Sequence, residues 1–122
     1  MHPSSPSLLR DVLERCDAIL VRVAAATLAE YERDLWFRSG VERHFEVIGE
    51  ALRRIERRDP ALTASIPDYR NIVDFRNLIA HGYDTIDHPS AWHFVTWELP
   101  SFRARIAEML VEAKGGSREE AR

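Results

Sequence analysis

The sequence has little cysteine and no long apolar run, and each shortage excludes a class of protein. Cys16 is the single cysteine among 122 residues, so the chain cannot close an internal disulfide. Charged residues interrupt every hydrophobic stretch well before the roughly 18–20 apolar residues that cross a bilayer. No N-terminal segment combines a basic region, an apolar run and a small-residue cleavage site. We therefore expect a soluble protein of the reducing cytoplasm with no membrane contact.

The motifs of several enzyme classes are also missing. The sequence has no glycine-rich phosphate loop, no serine-centred nucleophile elbow and no pair of redox cysteines. Its formal net charge of -3 at pH 7 argues against a protein that coats nucleic acid through a broad basic surface. A small and specific RNA contact is compatible with this charge. The chain length fits one domain, whose core needs neither disulfides nor a structural metal.

Apolar residues recur every three or four positions along most of the chain, which predicts helices. The first helix is expected to begin at Ser5-Pro6, a serine cap followed by proline. The segment Thr27-Leu28-Ala29-Glu30 has the spacing of a capping box and precedes a long helix over about 34–58. Asp59-Pro60 ends that helix. A further helix is predicted from about Asp68 to His81, with Gly82 at its C-terminal cap position.

The last helix keeps its apolar spacing through Pro100, so we predict a kink or two collinear pieces near that residue. Gly115-Gly116 is expected to end it, which divides the chain into a helical domain over 1–114 and a flexible tail over 115–122. No run alternates apolar and polar residues as a half-buried strand does. The sequence therefore predicts an all-α fold, an antiparallel bundle of four to five helices.

The run Arg76-Asn77-Leu78-Ile79-Ala80-His81-Gly82-Tyr83 holds the residues most able to carry chemistry. Arg76 has only apolar neighbours three and four positions away on its helix. An unpaired guanidinium is costly in such a setting, so Arg76 needs an acid, an anionic ligand or a subunit interface. The structural alternative is an internal ion pair with Glu50 or Asp74.

His81 shares a helix face with Asn77, whose amide can hold the imidazole tautomer of a general acid or base. Arg76 and His81 are about 140° apart around an ideal helix. They form one site only if the helix unwinds at His81-Gly82 or pairs with its copy across a two-fold axis, and the second option predicts a dimer. The plain alternatives are a capping role for His81 and surface packing for Tyr83.

Several potential metal ligands lie in and after this run. They are His81, Asp84, Asp87, His88 and His93. Their spacing matches no recognised metal-binding pattern, and no pair of histidines stands four residues apart. We therefore expect no metal site.

With these residues, the sequence resembles the HepT-like family of HEPN-domain ribonuclease toxins, the toxin half of the HepT/MntA toxin-antitoxin systems. The resemblance covers most of the chain. It rests on the pattern Arg-x4-His-x-Tyr at Arg76, His81 and Tyr83, with Asn77 directly after the arginine. It also rests on Val41-Glu42-Arg43 through Ile48-Gly49-Glu50-Ala51, and on Trp92 and Leu99-Pro100 in the last helix.

This resemblance implies a HEPN-like bundle, a homodimer with two facing Arg-His motifs, and a metal-independent endoribonuclease that needs no cofactor of its own. His81 is implied as the general acid or base and Arg76 as the group that stabilises charge on phosphorus. Asn77 and Glu50 are implied as supporting residues. The resemblance also implies a partner, a cognate MntA-like nucleotidyltransferase antitoxin that uses ATP to attach AMP to Tyr83 and so inhibits the toxin.

Two other functions stay open at this point. One is a non-catalytic HEPN interaction module whose cleft binds a nucleotide or a partner nucleotidyltransferase. The other, less favoured, is a metal-dependent phosphohydrolase.

Overall fold

The computed structural model describes the backbone over residues 1–81 and 87–120 and the side chains over 1–79 and 87–113. The helices are α1 (Ser5–Ala24), α2 (Leu28–Arg33), α3 (Leu35–Arg58), α4 (Pro60–Ala64), α5 (Tyr69–His81), α6 (His88–His93) and α7 (Leu99–Glu120), with a π-helical turn over Phe94–Glu98 before α7. No strand occurs in the described ranges, and the predicted all-α fold is confirmed. None of the described helices is long and apolar enough to span a membrane.

The helices form an antiparallel bundle built around α3. The Ser5 hydroxyl at the start of α1 donates to Asp59 at the end of α3, at 3.3 Å. Later in α1, Arg15 Nη1 lies 3.3 Å from Nδ1 of His44, early in α3. These two contacts show that α1 and α3 are antiparallel. α7 packs on α1, and α5 packs on α3.

The ends of these helices follow the local sequence closely. Ser4 rather than Ser5 is the N-cap residue of α1, one position earlier than predicted. The Thr27 hydroxyl accepts from the backbone N–H of Glu30 at 3.2 Å, which confirms the predicted capping contact. Asp34 Oδ1 caps α3 by accepting from the backbone N–H of Phe37 at 3.1 Å. Asp59 ends α3 as predicted, although α4 then begins in a segment expected to be only a connection.

The last long helix is interrupted where the sequence predicted. The π-helical turn Phe94–Glu98 leads directly into Leu99 and Pro100. Proline has no N–H to donate to the carbonyl four residues earlier, so an α-helical ladder cannot continue unchanged through Pro100. Within this turn, the Thr96 hydroxyl donates to the carbonyl of Trp92 in α6 at 2.7 Å.

The predicted end of that helix is wrong. The helix α7 continues through Gly115 and Gly116 to Glu120. A glycine within a helix costs about 1 kcal/mol relative to alanine but leaves the backbone hydrogen bonds intact. Good helix formers surround the pair, including Ala113, Lys114 and Glu119, so the helix tolerates it. The flexibility assigned to residues 115–122 stays a prediction.

An aromatic cluster fixes α5 in place. Phe75 of α5 stacks on Phe94 with ring centroids 4.1 Å apart and meets Phe45 of α3 edge-on at 4.8 Å. All three rings are buried. At the start of α5, the Tyr69 hydroxyl donates to Glu56 of α3 at 2.8 Å. These contacts fix the position of α5 along α3. They therefore also fix the position of Arg76, the residue after Phe75.

Candidate functional site

The candidate site begins with Arg76. Its side chain projects from α5 at the edge of the apolar contact between α5 and α3. Ile72 and Ile79, on either side of it along the helix, are buried, and Val73 is partly buried. The preceding residue, Phe75, belongs to the aromatic cluster. Arg76 itself is partly buried. Its long side chain must therefore cross apolar surface before its charged end reaches water.

Gly49 of α3 lies directly beneath the Arg76 side chain. A Cβ atom added at Gly49 would lie 2.5 Å from Cγ and 2.8 Å from both Cδ and Nε of Arg76. The arginine stem thus passes over α3 where that helix has no side chain. Gly49 stands seven residues before Glu56 in α3, and Arg76 seven after Tyr69 in α5, so both contacts belong to one antiparallel register.

The hydrogen bonds of Arg76 are incomplete. Nε is buried and, among the described residues, has no hydrogen-bond partner. Nη1 donates to Oδ1 of Asn77 at 3.2 Å, a neutral acceptor. No described carboxylate forms an ion pair with Arg76, so the internal pair with Glu50 or Asp74 is not present in this part of the chain. The positive charge is therefore not neutralised by a described acid.

The structure brings together some of the predicted site residues and not others. Asn77 contacts Arg76, as described. Glu50 is exposed and lies 3.9 Å from Nη2 of Arg57, one of the arginines near the end of α3. A pair this exposed contributes little to stability. The supporting roles of Asn77 and Glu50 stay predictions, and a contact between Asn77 and the His81 ring would lie outside the described side chains.

His81 is the last residue of α5, so the helix does not unwind before it. The Cα atoms of Arg76 and His81 are therefore about 140° apart around the helix axis, as in an ideal helix. The His81 side chain and all of residues 82–86, with Gly82, Tyr83 and Asp84, lie outside the described part of the chain. The catalytic role of His81 and the modification of Tyr83 stay predictions.

Burial raises the pKa of two side chains, one on α5, which carries Arg76, and one on α3, against which Arg76 packs. For Tyr69, burial, the hydrogen bond to Glu56 and the charge of that carboxylate raise the pKa of the phenol above its usual range. Tyr69 therefore stays a neutral donor, which preserves its contact with α3. On α3, burial raises the pKa of Glu42, and the nearby Arg38 partly opposes the shift.

Among the described residues, no three His, Cys, Asp or Glu side chains cluster closely enough to hold a metal ion. Asp87, His88 and His93 are within this description, whereas the His81 side chain and Asp84 are not. The expectation that the chain holds no metal stays a prediction.

Gly49 was missed as a site residue by the sequence analysis, although it lies in a segment that carries the family resemblance. Its signal was a glycine inside a long helix, between Ile48 and Leu52 of the buried stripe. Helical periodicity cannot show which side chain from another helix lies above such a position.

The model of the family described as "Ribonuclease HepT-like" matches residues 10–109. The chain belongs to the HepT-like ribonuclease family. The predicted resemblance is thus confirmed, and Gly49, Arg76 and Asn77 all lie within the matched residues of this HepT-like chain.

The HepT-like chain is also similar to curated proteins that carry the provisional name RNase. One, from Caldanaerobacter subterraneus, is 22% identical over 106 residues, which are 87% of this chain and 94% of that protein. Two others come from Methanocaldococcus jannaschii. The first is 24% identical over 89% of each chain, and the second 26% identical over 82% of this chain and 91% of that protein. No solved structure matches this chain.

Proposed function

We propose that this HepT-like chain is the toxin of a toxin-antitoxin system, a metal-independent endoribonuclease that uses Arg76 and His81 in a dimer cleft. The observation that carries the proposal is the state of Arg76. Its buried Nε has no described partner, and no described carboxylate neutralises its charge. Such a guanidinium is suited to bind a phosphate group, for which arginine offers several donors in one plane. Family membership and the names of the relatives support RNA as the substrate class.

The proposed chemistry needs an acid-base group and a cation. His81 accepts the proton of a ribose 2'-hydroxyl, and the oxygen attacks the adjacent phosphorus. The bond to the 5'-oxygen breaks, and this oxygen takes a proton from an imidazolium. The products are a 2',3'-cyclic phosphate and a 5'-hydroxyl. Arg76 stabilises the negative charge that develops on the non-bridging oxygens.

A homodimer resolves the separation of the two residues. Because α5 stays helical through His81, one chain presents Arg76 and His81 about 140° apart. Two copies of α5 that face one another across a two-fold axis place both motifs in one cleft, where Arg76 of one copy lies near His81 of the other. The dimer is therefore part of the proposed catalytic mechanism.

The proposed regulator is a cognate MntA-like nucleotidyltransferase antitoxin. It transfers AMP from ATP to the hydroxyl of Tyr83 and releases pyrophosphate. Tyr83 stands two residues after His81 in the sequence, so the added phosphate brings negative charge and bulk next to the motif. The modification then inhibits cleavage by repelling RNA and by competing for Arg76.

The test uses purified wild type, Arg76→Ala and His81→Ala, incubated with total RNA in excess chelator. Two matched controls remove the same residue types elsewhere, Arg10→Ala on the exposed side of α1 and His2→Ala before it. Intact mass first establishes that Tyr83 carries no AMP. We expect wild type and both controls to cut RNA and leave cyclic phosphate ends, whereas both motif variants do not.

Other outcomes decide between the remaining functions. If unmodified wild type cuts only without chelator, a metal-dependent phosphohydrolase replaces the proposal. If it cuts under neither condition, but the motif variants lose a nucleotide or a nucleotidyltransferase partner, the chain is an interaction module. Sedimentation of each variant shows whether a lost activity reflects a lost dimer.

A further inference from the structure

The helix α3 contains two glycines, Gly40 and Gly49, although glycine destabilises a helix relative to alanine. Neither has a positive φ, so the backbone of α3 does not require glycine at either position. A reason for glycine must therefore come from the space around it. The two positions differ sharply in that respect.

Gly40 faces open space: beyond its chain neighbours and the adjacent backbone of α3, no atom lies within 4 Å of the Cβ that an alanine would add. At Gly49 the same Cβ would lie 2.5–2.8 Å from three consecutive atoms of Arg76. These atoms, Cγ, Cδ and Nε, form the middle of the side chain rather than its mobile end. A side chain at position 49 therefore displaces the whole arginine stem.

The stem has few other places to lie. Ile72, Phe75 and Ile79 pack α5 into the core around it, and they fix the point at which Arg76 leaves the helix. At its outer end, Nη1 donates to Asn77 Oδ1. The stem over Gly49 and this hydrogen bond thus hold the guanidinium at two points, with Nε turned inward.

We propose that Gly49 is a positioning residue for Arg76. The absent side chain of Gly49 forms a groove across α3 that holds the arginine stem and so fixes where the guanidinium emerges. The consequence for RNA cleavage rests on the proposed function, whereas the position of Arg76 can be measured without any activity. Because Arg76 is proposed to act on charge that develops in the transition state, its displacement lowers kcat more than it raises KM.

The test compares Gly49→Ala with Gly40→Ala, a matched control in the same helix. Each change is made in the wild type and in Arg76→Ala, which removes all three clashing atoms. Gly40→Ala raises Tm by about 2–4 °C in both backgrounds, since it only improves helix propensity. Gly49→Ala raises Tm by a similar amount in Arg76→Ala, but by less, or not at all, in the wild type.

A second measurement follows the arginine directly. The Nε of Arg76 is buried, so we expect its proton to exchange slowly with water. The loss of its NMR signal in Arg76→Lys assigns it. We expect this slow exchange to persist in Gly40→Ala and to disappear in Gly49→Ala. In RNA cleavage, Gly49→Ala lowers kcat by about 10- to 100-fold with little change in KM, whereas Gly40→Ala keeps wild-type values.

Equal Tm increases for Gly49→Ala in both backgrounds, or an unchanged Nε–H signal, would contradict the proposal that the groove at Gly49 holds the Arg76 stem. Full cleavage by Gly49→Ala with a displaced arginine would overturn its positioning role. If wild type cuts no RNA, the proposed function fails, while the Tm and NMR comparisons still decide whether Gly49 holds Arg76.

Discussion

Arg103 and Arg76 each bridge a pair of helices, and their surroundings differ. Arg103 of α7 donates two hydrogen bonds to Asp17 of α1, from Nε at 2.7 Å and from Nη2 at 3.3 Å. Arg76 of α5 lies over α3, with a buried Nε that has no described partner and with Nη1 on a neutral amide. The guanidinium of Arg103 is paired with a carboxylate, whereas that of Arg76 has no carboxylate partner among the described residues.

The difference separates a structural arginine from one suited to a ligand. The hydrogen bond to Asp17, with the charge of that carboxylate, raises the pKa of Arg103 and neutralises its field. Arg103 therefore has little attraction left for a phosphate. Among the described residues no carboxylate pairs with Arg76, and its stem lies over Gly49, where α3 has no side chain. Four predictions test this comparison.

The largest expected effect is on catalysis. Arg76→Gln removes the charge but keeps a long polar side chain, and we expect RNA cleavage to fall by about 100- to 1000-fold. Arg103→Gln is the matched change in the other helix pair and should alter the rate by less than about twofold. Initial rates on a defined RNA, with circular dichroism to confirm folding, provide the measurement. Similar losses in both variants would remove the distinction.

The second prediction concerns the thiol next to Asp17. Cys16 is fully buried, and burial raises its pKa to about 12. The thiolate is the reactive form, so iodoacetamide at pH 8 should label the native protein at least ~100-fold more slowly than the unfolded chain. Mass spectrometry with and without denaturant measures both rates. Fast labelling of the native protein would mean that α1 and α7 separate readily.

The third prediction is a modest loss of stability at the satisfied arginine. The side chains of Arg103 and Asp17 are 38% and 45% exposed, so water screens the pair. Arg103→Gln should lower the free energy of unfolding by about 0.5–1 kcal/mol, whereas Arg76→Gln should not lower it. Urea denaturation measures both values. Addition of Asp17→Asn to Arg103→Gln should cost little more, because the partner is already lost.

The smallest expected effect is a pH dependence at His44. Its Nδ1 lies 3.3 Å from Arg15 Nη1, and partial burial, with the charge of Arg15, lowers the pKa of the ring. The unfolded chain therefore binds the proton more readily, and stability falls as pH decreases below about 6.5. The loss should stay below about 0.5 kcal/mol because the ring is only partly buried and water screens its charge.

His44→Gln should flatten the stability curve between pH 7 and 5. Thermal unfolding at several pH values, compared with His2→Gln at the exposed chain start, isolates the contribution of His44. A slope that His44→Gln leaves unchanged would assign the acid sensitivity to other groups.

Most of the fold could be predicted because its determinants are local. The capping contact of Thr27 and the end of α3 at Asp59 depend on residues within one helical turn, which the sequence displays directly. Gly115 and Gly116 misled the prediction because glycine weakens a helix without ending it. The short helix α4 was missed because its five residues carry no periodic stripe.

The candidate site was less accessible to the same reasoning. The apolar neighbours of Arg76 predicted that its charge needs a partner, and Nε has none among the described residues. The contact with Asn77 follows from its position next to Arg76 in the sequence. The groove at Gly49 depends on how α5 lies across α3, and that arrangement comes from Phe75, Phe45 and Phe94 in the core. The residues around Arg76 in the sequence do not show which part of α3 lies beneath its side chain.

The π-helical turn at Phe94–Glu98 also determines the direction in which the side chains of α7 face. A π-helical turn holds one more residue than an α-helical turn, so it rotates every later residue by about 100° relative to an uninterrupted helix. Phe94, the first residue of the turn, packs on Phe75 of α5. After the turn, Arg103 pairs with α1. One continuous segment thus contacts α5 through Phe94 and α1 through Arg103, and the gain or loss of one residue between them would rotate one contact by about 100° relative to the other.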